Sequence, residues 1–279
     1  MPNRSSMPSP RQDAPASVLH ITDTHLFAKR DGRLLGMNTY DSLTAVLADA
    51  AQSAPDAALA TGDLAQDGAA EAYAHLTEAL AAFAAACAAP PPVYWLPGNH
   101  DAPPVMRAAL VKPPLRPERE AIIGNWQVIL LDSTVPGEVG GRLSDAELAR
   151  LDASLAAQAD RPALVCLHHN PVSVNAQWMD SIGLANADAF FETLDRWASV
   201  RAVLWGHVHQ EIDIERRGVR LMASPSTCIQ FRPQTAQFGI DQRAPGYRRL
   251  WLYPDGRLET RVFRVESFAG RADAEATGY

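Results

Sequence analysis

Five short apolar runs in this chain break off into polar clusters, and that pattern restricts the possible folds more than any other feature. Residues 18–22 (VLHIT) run into Asp23-Thr24-His25, residues 57–61 (AALAT) into Gly62-Asp63, and residues 93–96 (VYWL) into Pro97-Gly98-Asn99-His100-Asp101. Residues 163–167 (ALVCL) run into His168-His169-Asn170-Pro171, and residues 202–205 (AVLW) into Gly206-His207-Val208-His209. Each run has the length and apolar content of a buried strand, and Pro97-Gly98 is a turn signal. Six of the eight histidines lie at these five ends, at His25, His100, His168, His169, His207 and His209. Strand ends along one edge of an open α/β sheet converge on a ligand crevice. The pattern therefore predicts a layered sheet protein whose strand tips share one site.

The segments between the runs agree. Helix-like stretches at 40–52, 69–88, 144–158 and 187–197 alternate with the strands and with a further apolar run at 126–131 (WQVILL). Ser144-Asp145-Ala146-Glu147 is a capping-box pattern at a helix start, and Asn186 or Asp188 is expected to cap the last helix. Beyond about residue 210 strands and turns take over, with a hairpin between 247–253 and 257–264 turning at Asp255-Gly256. No repeat or Gly/Ser linker divides the chain, so residues 18–279 read as one α/β domain with a mixed sheet. Residues 1–17, rich in proline, serine and charge, read as a disordered segment without the apolar stretch of a secretory signal. No run approaches the ~18 apolar residues of a membrane span. With 47% hydrophobic residues the chain can bury a large core. A balance of 25 basic against 32 acidic residues, net charge −7, argues against a nucleic-acid partner. Cys87, Cys166 and Cys228 form no CxxC pair and no disulfide framework, which fits reduced thiols and a cytoplasmic location.

The residue types at the strand ends have a common chemistry. Carboxylate oxygen and neutral imidazole suit divalent ions such as Mn, Fe, Zn or Co, and the lack of cysteine disfavours a structural thiolate site. In an extended segment, Asp-x-His and His-x-His put both side chains on one face. Such pairs can grip one ion or straddle two, and Asp63 is suited to bridge a pair. Two ions ~3.5–4 Å apart clamp the entering and leaving oxygens of an in-line displacement. Gly62, Gly98 and Gly206 let the backbone turn sharply beside them.

The ordered set resembles the calcineurin-like metallophosphoesterases, and within them the bacterial class III 3′,5′-cyclic-AMP phosphodiesterases. The resemblance is carried by ITDTHLF (21–27), ATGDLAQDG (60–68), WLPGNHD (95–101), LHHNP (167–171), GHVHQE (206–211) and SPSTCIQF (224–231), and it spans roughly residues 18–279. It implies a fold of two packed mixed β-sheets flanked by helices. It also implies that Asp23, His25 and His209 hold one metal, that Asn99, His168 and His207 hold the other, and that Asp63 bridges. His25, Asp63, Asn99, His100 and His209 would line the substrate phosphate. Attack by a metal-bridging hydroxide would then convert cyclic AMP to 5′-AMP, with His100 as the acid at the leaving oxygen and His169 orienting from behind His168. Two divalent ions, iron or manganese with zinc or cobalt as options, are the implied cofactors, and a homodimer is an implied option.

One departure narrows the class. Gly62-Asp63-Leu64-Ala65-Gln66-Asp67-Gly68 lacks the arginine of the protein phosphatases in this superfamily, and the Asn99-His100 motif ends in Asp101 where theirs ends in glutamate. The alternative activity is a broad-specificity phosphodiesterase acting on glycerophosphodiesters or 2′,3′-cyclic nucleotides. A metal-free binding scaffold would be expected to lose ligands, whereas every ligand position here is filled. The remaining polar residues read as structural. Asp67 is expected to cap the helix at 69–88, His20 and His75 to pack, and Arg216-Arg217 to form a solvated hairpin tip. Trp178, Asn186 and residues 224–231 are equally suited to lining a pocket and to packing.

Overall fold

The computed structural model describes residues 14–278, and each of the apolar runs forms a strand that is buried on both faces over most of its length. The chain passes through β1 (Ala16–Ile21), a small hairpin of β2 (Arg33–Leu34) and β3 (Met37–Asn38), α1 (Thr39–Ala51), β4 (Ala57–Thr61), α2 (Ala70–Ala86), β5 (Val93–Leu96), α3 (Pro103–Ala109) and β6 (Leu115–Arg116). It continues through β7 (Glu120–Ile123), β8 (Trp126–Leu130), α4 (Asp145–Ala157), β9 (Ala163–Cys166), α5 (Gln177–Asp180), α6 (Ala187–Leu194), β10 (Val200–Trp205), β11 (Ile212–Arg216) and β12 (Val219–Ala223). A short pair, β13 (Gln230–Phe231) and β14 (Ile240–Asp241), precedes the hairpin of β15 (Gly246–Leu252) and β16 (Leu258–Arg264).

Two six-stranded sheets result, in the orders β16-β15-β1-β4-β5-β6 and β11-β12-β10-β9-β8-β7. In the first, β1, β4, β5 and β6 run parallel, and the β15–β16 hairpin adds to β1 antiparallel. In the second, β8, β9, β10 and β12 run parallel between antiparallel edges β7 and β11. The register levels the strand tips: Ile21 pairs with Ala60, Thr61 with Leu96, and Leu204 with Cys166.

Period-two alternation explains the layering. Val18, Leu59 and Leu96 of the first sheet meet Val128, Leu130, Leu164, Cys166 and Leu204 of the second in one buried cluster. The neighbouring residues point outward. Leu19, Ile21, Ala58 and Ala60 pack on α1 and α2 through Leu43, Val46, Tyr73, Leu76 and Leu80. Val165, Leu167, Val203 and Trp205 pack on α4 and α6 through Leu151, Leu155, Phe190 and Leu194. Each fully buried leucine or valine of these clusters contributes about 1.5–3 kcal/mol. Two mixed sheets packed face to face and flanked by helices are the architecture that the family resemblance implies.

Polar ties also cross the layers. Arg248, 1% exposed on β15, donates through Nη2 to Ala223 O (2.7 Å) and Ile212 O (2.9 Å) in the other sheet. Burial lowers its pKa to about 10, so it stays charged at neutral pH. His20 lies between the sheets, hydrogen-bonded with Ser224 Oγ (2.5 Å) and Thr61 Oγ1 (2.6 Å).

Several local expectations hold. Ser144 Oγ accepts from the Glu147 amide at 3.2 Å, as the capping box requires. The last hairpin turns at Asp255-Gly256, with Gly256 at φ +87°. Others are corrected. β1 starts at Ala16, inside the segment expected to lack structure, while residues 1–13 of that segment lie outside the described residues. The N-cap of α2 is Ala69, with Asp67 two residues earlier accepting from the Ala69 amide. Asn186 occupies the N-cap position of α6 as expected, but its side chain makes no cap hydrogen bond and turns to both backbone groups of Leu143. Arg216 and Arg217 form the hairpin tip, but both pair with Asp195. Among the described residues no helix is long and apolar enough to cross a membrane. All three cysteines are free and buried.

Candidate metal centre

At the tips of β1, β4 and β10 the backbone does not stay extended. Asp23, His25, Asp63, His207 and His209 all have φ between 44° and 65°. The left-handed region costs an L-residue about 1–2 kcal/mol. Tertiary hydrogen bonds hold it: Asp23 N–H donates to Gly62 O (3.0 Å) and His25 N–H to Asp63 O (2.9 Å), and His207 N–H donates to Asp23 Oδ1 (3.0 Å). The expectation of two side chains on one face of an extended segment is therefore corrected. The pairs converge, but through strained turns laced to the neighbouring tip.

Glycine makes this lacing possible. Gly62 has φ +91°, and a Cβ there would sit 2.5 Å from His168 Nδ1. A Cβ on Gly98 would sit 2.2 Å from Asp63 Oδ1 and 2.3 Å from the Asp63 amide nitrogen.

The side chains meet in three overlapping groups: Asp23, His25 and His209; His25, Asp63 and His100; and Asp63, His168 and His207. In the first, His25 Nε2 lies 3.1 Å from His209 Nε2, which is 3.5 Å from Asp23 Oδ1. In the third, Asp63 Oδ2 lies 3.3 Å from His168 Nε2, and the same oxygen is 3.8 Å from His25 Nε2. Asp63 thus sits between the first and third groups. Asn99 joins the third, its Oδ1 3.2 Å from His168 Nε2. Apart from Asn99 and His100, these side chains are buried.

Ring orientation is set from outside the cluster. The Nδ1 of His25 faces Gln66 Oε1 (2.6 Å), that of His168 faces Thr61 O (2.8 Å), and that of His209 faces Ile229 O (2.9 Å). A carbonyl on Nδ1 takes the proton there and leaves Nε2, the nitrogen turned to the cluster, as the available donor atom. His100 follows the same rule, its Nδ1 3.1 Å from Gln66 O, while its backbone N–H donates to Asp63 Oδ1 (2.9 Å).

The electrostatics ask for a cation. Burial disfavours charge on both carboxylates, yet His209 holds Asp23, and His168 holds Asp63, below the usual range. Burial takes His25 down to about 3, and burial with His169 and His168 takes His207 lower than its usual value. Burial also opposes charge on His168, but Asp63 raises it to about 9. His207 Nε2 is buried with no hydrogen-bond partner among the described residues. Two ionised carboxylates, an orphaned ring nitrogen and converging Nε2 atoms fit a pair of divalent cations.

His169 belongs to none of the three groups. It hydrogen-bonds with Ser133 Oγ (2.8 Å) and Val139 O (3.1 Å), with its ring 5.0 Å from that of His168. His75 faces Phe27 O. Trp178 packs on Phe231 and Phe238, and Phe231 stacks on His209 at 4.2 Å.

Two residues matter more than their sequence context suggested. The Asp101 carboxylate accepts from the amides of Gly98 (2.9 Å), Ala65 (3.0 Å) and Leu64 (3.2 Å) and from Tyr73 OH (3.0 Å). It ties the loops after β4 and β5 together, and burial raises it to about 6. Gln66 orients two histidines at once. An acid at the end of a glycine-led loop was the available signal for Asp101. Nothing in the spacing distinguishes Gln66.

The family model for calcineurin-like phosphoesterases matches residues 16–211. The 3′,5′-cyclic adenosine monophosphate phosphodiesterase CpdA of Pseudomonas aeruginosa is 42% identical over 273 residues, 97% of this chain and 98% of that protein. The enzyme of the same name from Escherichia coli is 42% identical over 96% of both chains. A dimetal phosphatase from Danio rerio shares the fold, with a TM-score of 0.58 at 18% identity over 91% of this chain and 100% of its own.

Proposed function

The chain belongs to the calcineurin-like phosphoesterases, and on that footing we propose that it hydrolyses 3′,5′-cyclic AMP to 5′-AMP with two divalent metal ions. The observation that carries the reading is the double donor set centred on Asp63. The substrate rests on the near full-length likeness to cyclic-AMP phosphodiesterases.

In this reading Asp23, His25 and His209 would hold one ion and Asn99, His168 and His207 the other, with Asp63 shared between them. Two divalent ions held there would supply positive charge for the phosphate oxygens and a water made acidic enough, pKa near ~7, to attack at neutral pH. The chain's own residues supply the rest. The left-handed turns and the carbonyls on Nδ1 keep the ligand atoms fixed before substrate arrives. His25, Asp63, Asn99, His100 and His209 face the phosphate. His100, held through Nδ1 by Gln66 O, presents Nε2 to the leaving group. A water oxygen bonds to phosphorus as the bond to the 3′ oxygen breaks. His100, protonated on both nitrogens with Nδ1–H held by Gln66 O, gives its Nε2 proton to the 3′ oxygen, and the proton released by the water restores it. A positioned acid contributes about 10²–10⁴-fold.

Nitrogen and oxygen donors without thiolate suit manganese, iron, zinc or cobalt, and the resemblance to the family points to iron or manganese among them. We read residues 18–279 as one domain, because one buried cluster joins both sheets. Three free thiols suit the cytoplasm. The acidic balance suits a small substrate over nucleic acid or a membrane surface. A homodimer completes the reading and is checked by sedimentation.

The test is turnover of 3′,5′-cyclic AMP by manganese-loaded protein beside bis(p-nitrophenyl) phosphate, with Asp63→Ala as control. Cleavage of both esters and a dead control uphold the reading. Cleavage of the artificial diester alone overturns the substrate and leaves the metal centre standing.

A further inference from the structure

Behind His169 the surface opens into a groove of about 650 Å³ that no step above uses. Val135, Val139, Val172 and Ile182 give it an apolar side, and Arg142, Asn170, two serines and the carboxylates of Glu138 and Asp180 give it a polar one. A groove of that size, apolar on one side and polar on the other, suits a small molecule that is itself part ring and part polar edge. Gly140, Gly141 and Gly183 also line it, so part of its surface is bare backbone against which a flat ring can lie.

The groove adjoins the metal centre. Val139 O accepts the hydrogen bond from His169 Nε2, and the His169 ring lies 4.8 Å from that of His207. A single imidazole separates the groove wall from a residue of the third donor group. Asn170 follows His169 directly and is 3% exposed. Its Nδ2 donates to Val172 O (2.9 Å), while its Oδ1 is buried with no hydrogen-bond partner among the described residues. A buried acceptor without a donor costs free energy unless a ligand supplies one.

We propose that this groove binds the purine base of the cyclic nucleotide, with Asn170 Oδ1 accepting from its exocyclic amine and Arg142 reaching a ring nitrogen. The adjacent amine donor and ring acceptor on one edge of adenine match that pair of groups. The inference rests on the cyclic-nucleotide reading and adds the part of the site that selects the base.

Gly140→Phe tests it cleanly. Gly140 lacks a left-handed φ, and a Cβ there meets nothing closer than Ile182 Cα at 3.7 Å, so the backbone accepts a side chain that fills the groove. Val139→Trp, at a residue 53% exposed, is the second filling variant. Manganese-loaded proteins are compared on cyclic AMP and on the 3′,5′-cyclic phosphate of 1-deoxyribose, which has no base. Wild type is expected to favour cyclic AMP at least tenfold in kcat/KM, and both variants to bring that ratio within threefold of one at unchanged metal content. An unchanged ratio in both folded variants overturns the proposal. Cyclic IMP, with a carbonyl in place of the amine, is expected to be cleaved at least tenfold less efficiently than cyclic AMP. Equal cleavage overturns the pairing with Asn170.

Adenosine, with base but no phosphate, separates this idea from the one beneath it. Saturation-transfer NMR on zinc-loaded protein is expected to detect adenosine with wild type and to lose it with Gly140→Phe. If neither cyclic phosphate is cleaved, the cyclic-nucleotide reading fails. The adenosine signal then decides the groove, upholding it if present in wild type and lost in the variant, and overturning it otherwise.

Discussion

Gly98→Ala puts the tightest packing of the site under test. The added methyl would start 2.2 Å from Asp63 Oδ1, 2.3 Å from the Asp63 amide nitrogen and 2.8 Å from His168 Cε1, whereas ordinary contact begins near 3.4 Å. A rotation of the carboxylate relieves only the first of these. The amide is backbone, so the loops after β4 and β5 must part by about 1 Å, a misplacement that can cost ~10²-fold in rate. The carboxylate resists too, because His100 N–H donates to the same oxygen at 2.9 Å. Overpacking of this kind destabilises by about 1–3 kcal/mol, so the variant should fold and melt several degrees lower. We expect fewer than two metal ions per chain by elemental analysis and a kcat for cyclic AMP about 100-fold down. Gly239→Ala, with no contact inside 3.6 Å and no left-handed φ, is the matched control and should leave both readouts unchanged. Two ions per chain and a kcat within threefold of wild type in Gly98→Ala would show slack in the loops and refute the argument.

His20 offers a pH test. Burial, aided by the Arg248 charge, lowers its pKa to about 3 against an unfolded value of 6.5. Only the unfolded chain takes up the proton between these values, so the associated stability is complete above pH 6.5 and drains as pH falls toward 3. It amounts to about 2 kcal/mol between pH 7 and pH 5. The margin by which wild type exceeds His20→Gln in urea unfolding should narrow by that amount over the interval, and a constant margin would contradict a neutral buried imidazole. Asp101→Asn turns an amide donor toward four donors and should cost about 3 kcal/mol, with kcat falling at least tenfold. Stability within 0.5 kcal/mol of wild type would show that the carboxylate does not tie the loops. Leu59→Ala removes a side chain from the cluster between the sheets and should cost about 2–5 kcal/mol, with bound metal per folded chain unchanged. A loss under 1 kcal/mol would mean that the inter-sheet core repacks.

What was legible in the sequence follows from what is local. The runs at 18–22, 57–61, 93–96, 163–167 and 202–205 are readable as strands because both faces are apolar. The Asp255-Gly256 turn and the Ser144 cap depend on residues within three positions. The edge strands β7 and β11 escaped because they are four and five residues long, include Glu120, Asp213 and Glu215, and pair on one side only. The left-handed turns at Asp23, His25, Asp63, His207 and His209 were invisible because hydrogen bonds from distant tips impose them. Asn186 looked like a cap, yet Leu143, 43 positions away, claims its amide. The eight residues expected at the site do gather there. The groups that aim them, Gln66, Thr61 O and Ile229 O, are set by tertiary contact alone.

The two sheets divide the proposed ligands between them. Asp23, His25, Asp63 and Asn99 follow strands of the first sheet, and His168, His207 and His209 follow strands of the second. Each proposed ion therefore takes donors from both halves of the sandwich and binds only when the halves are closed on one another. By mass action, free metal at a hundredfold over its dissociation constant adds about 2.7 kcal/mol per site to the closed state. A chain starved of metal thus loses cohesion along with activity, and proteases that attack opened chains will remove it sooner. Through that seam, metal supply governs how much of the protein persists as well as how fast it works.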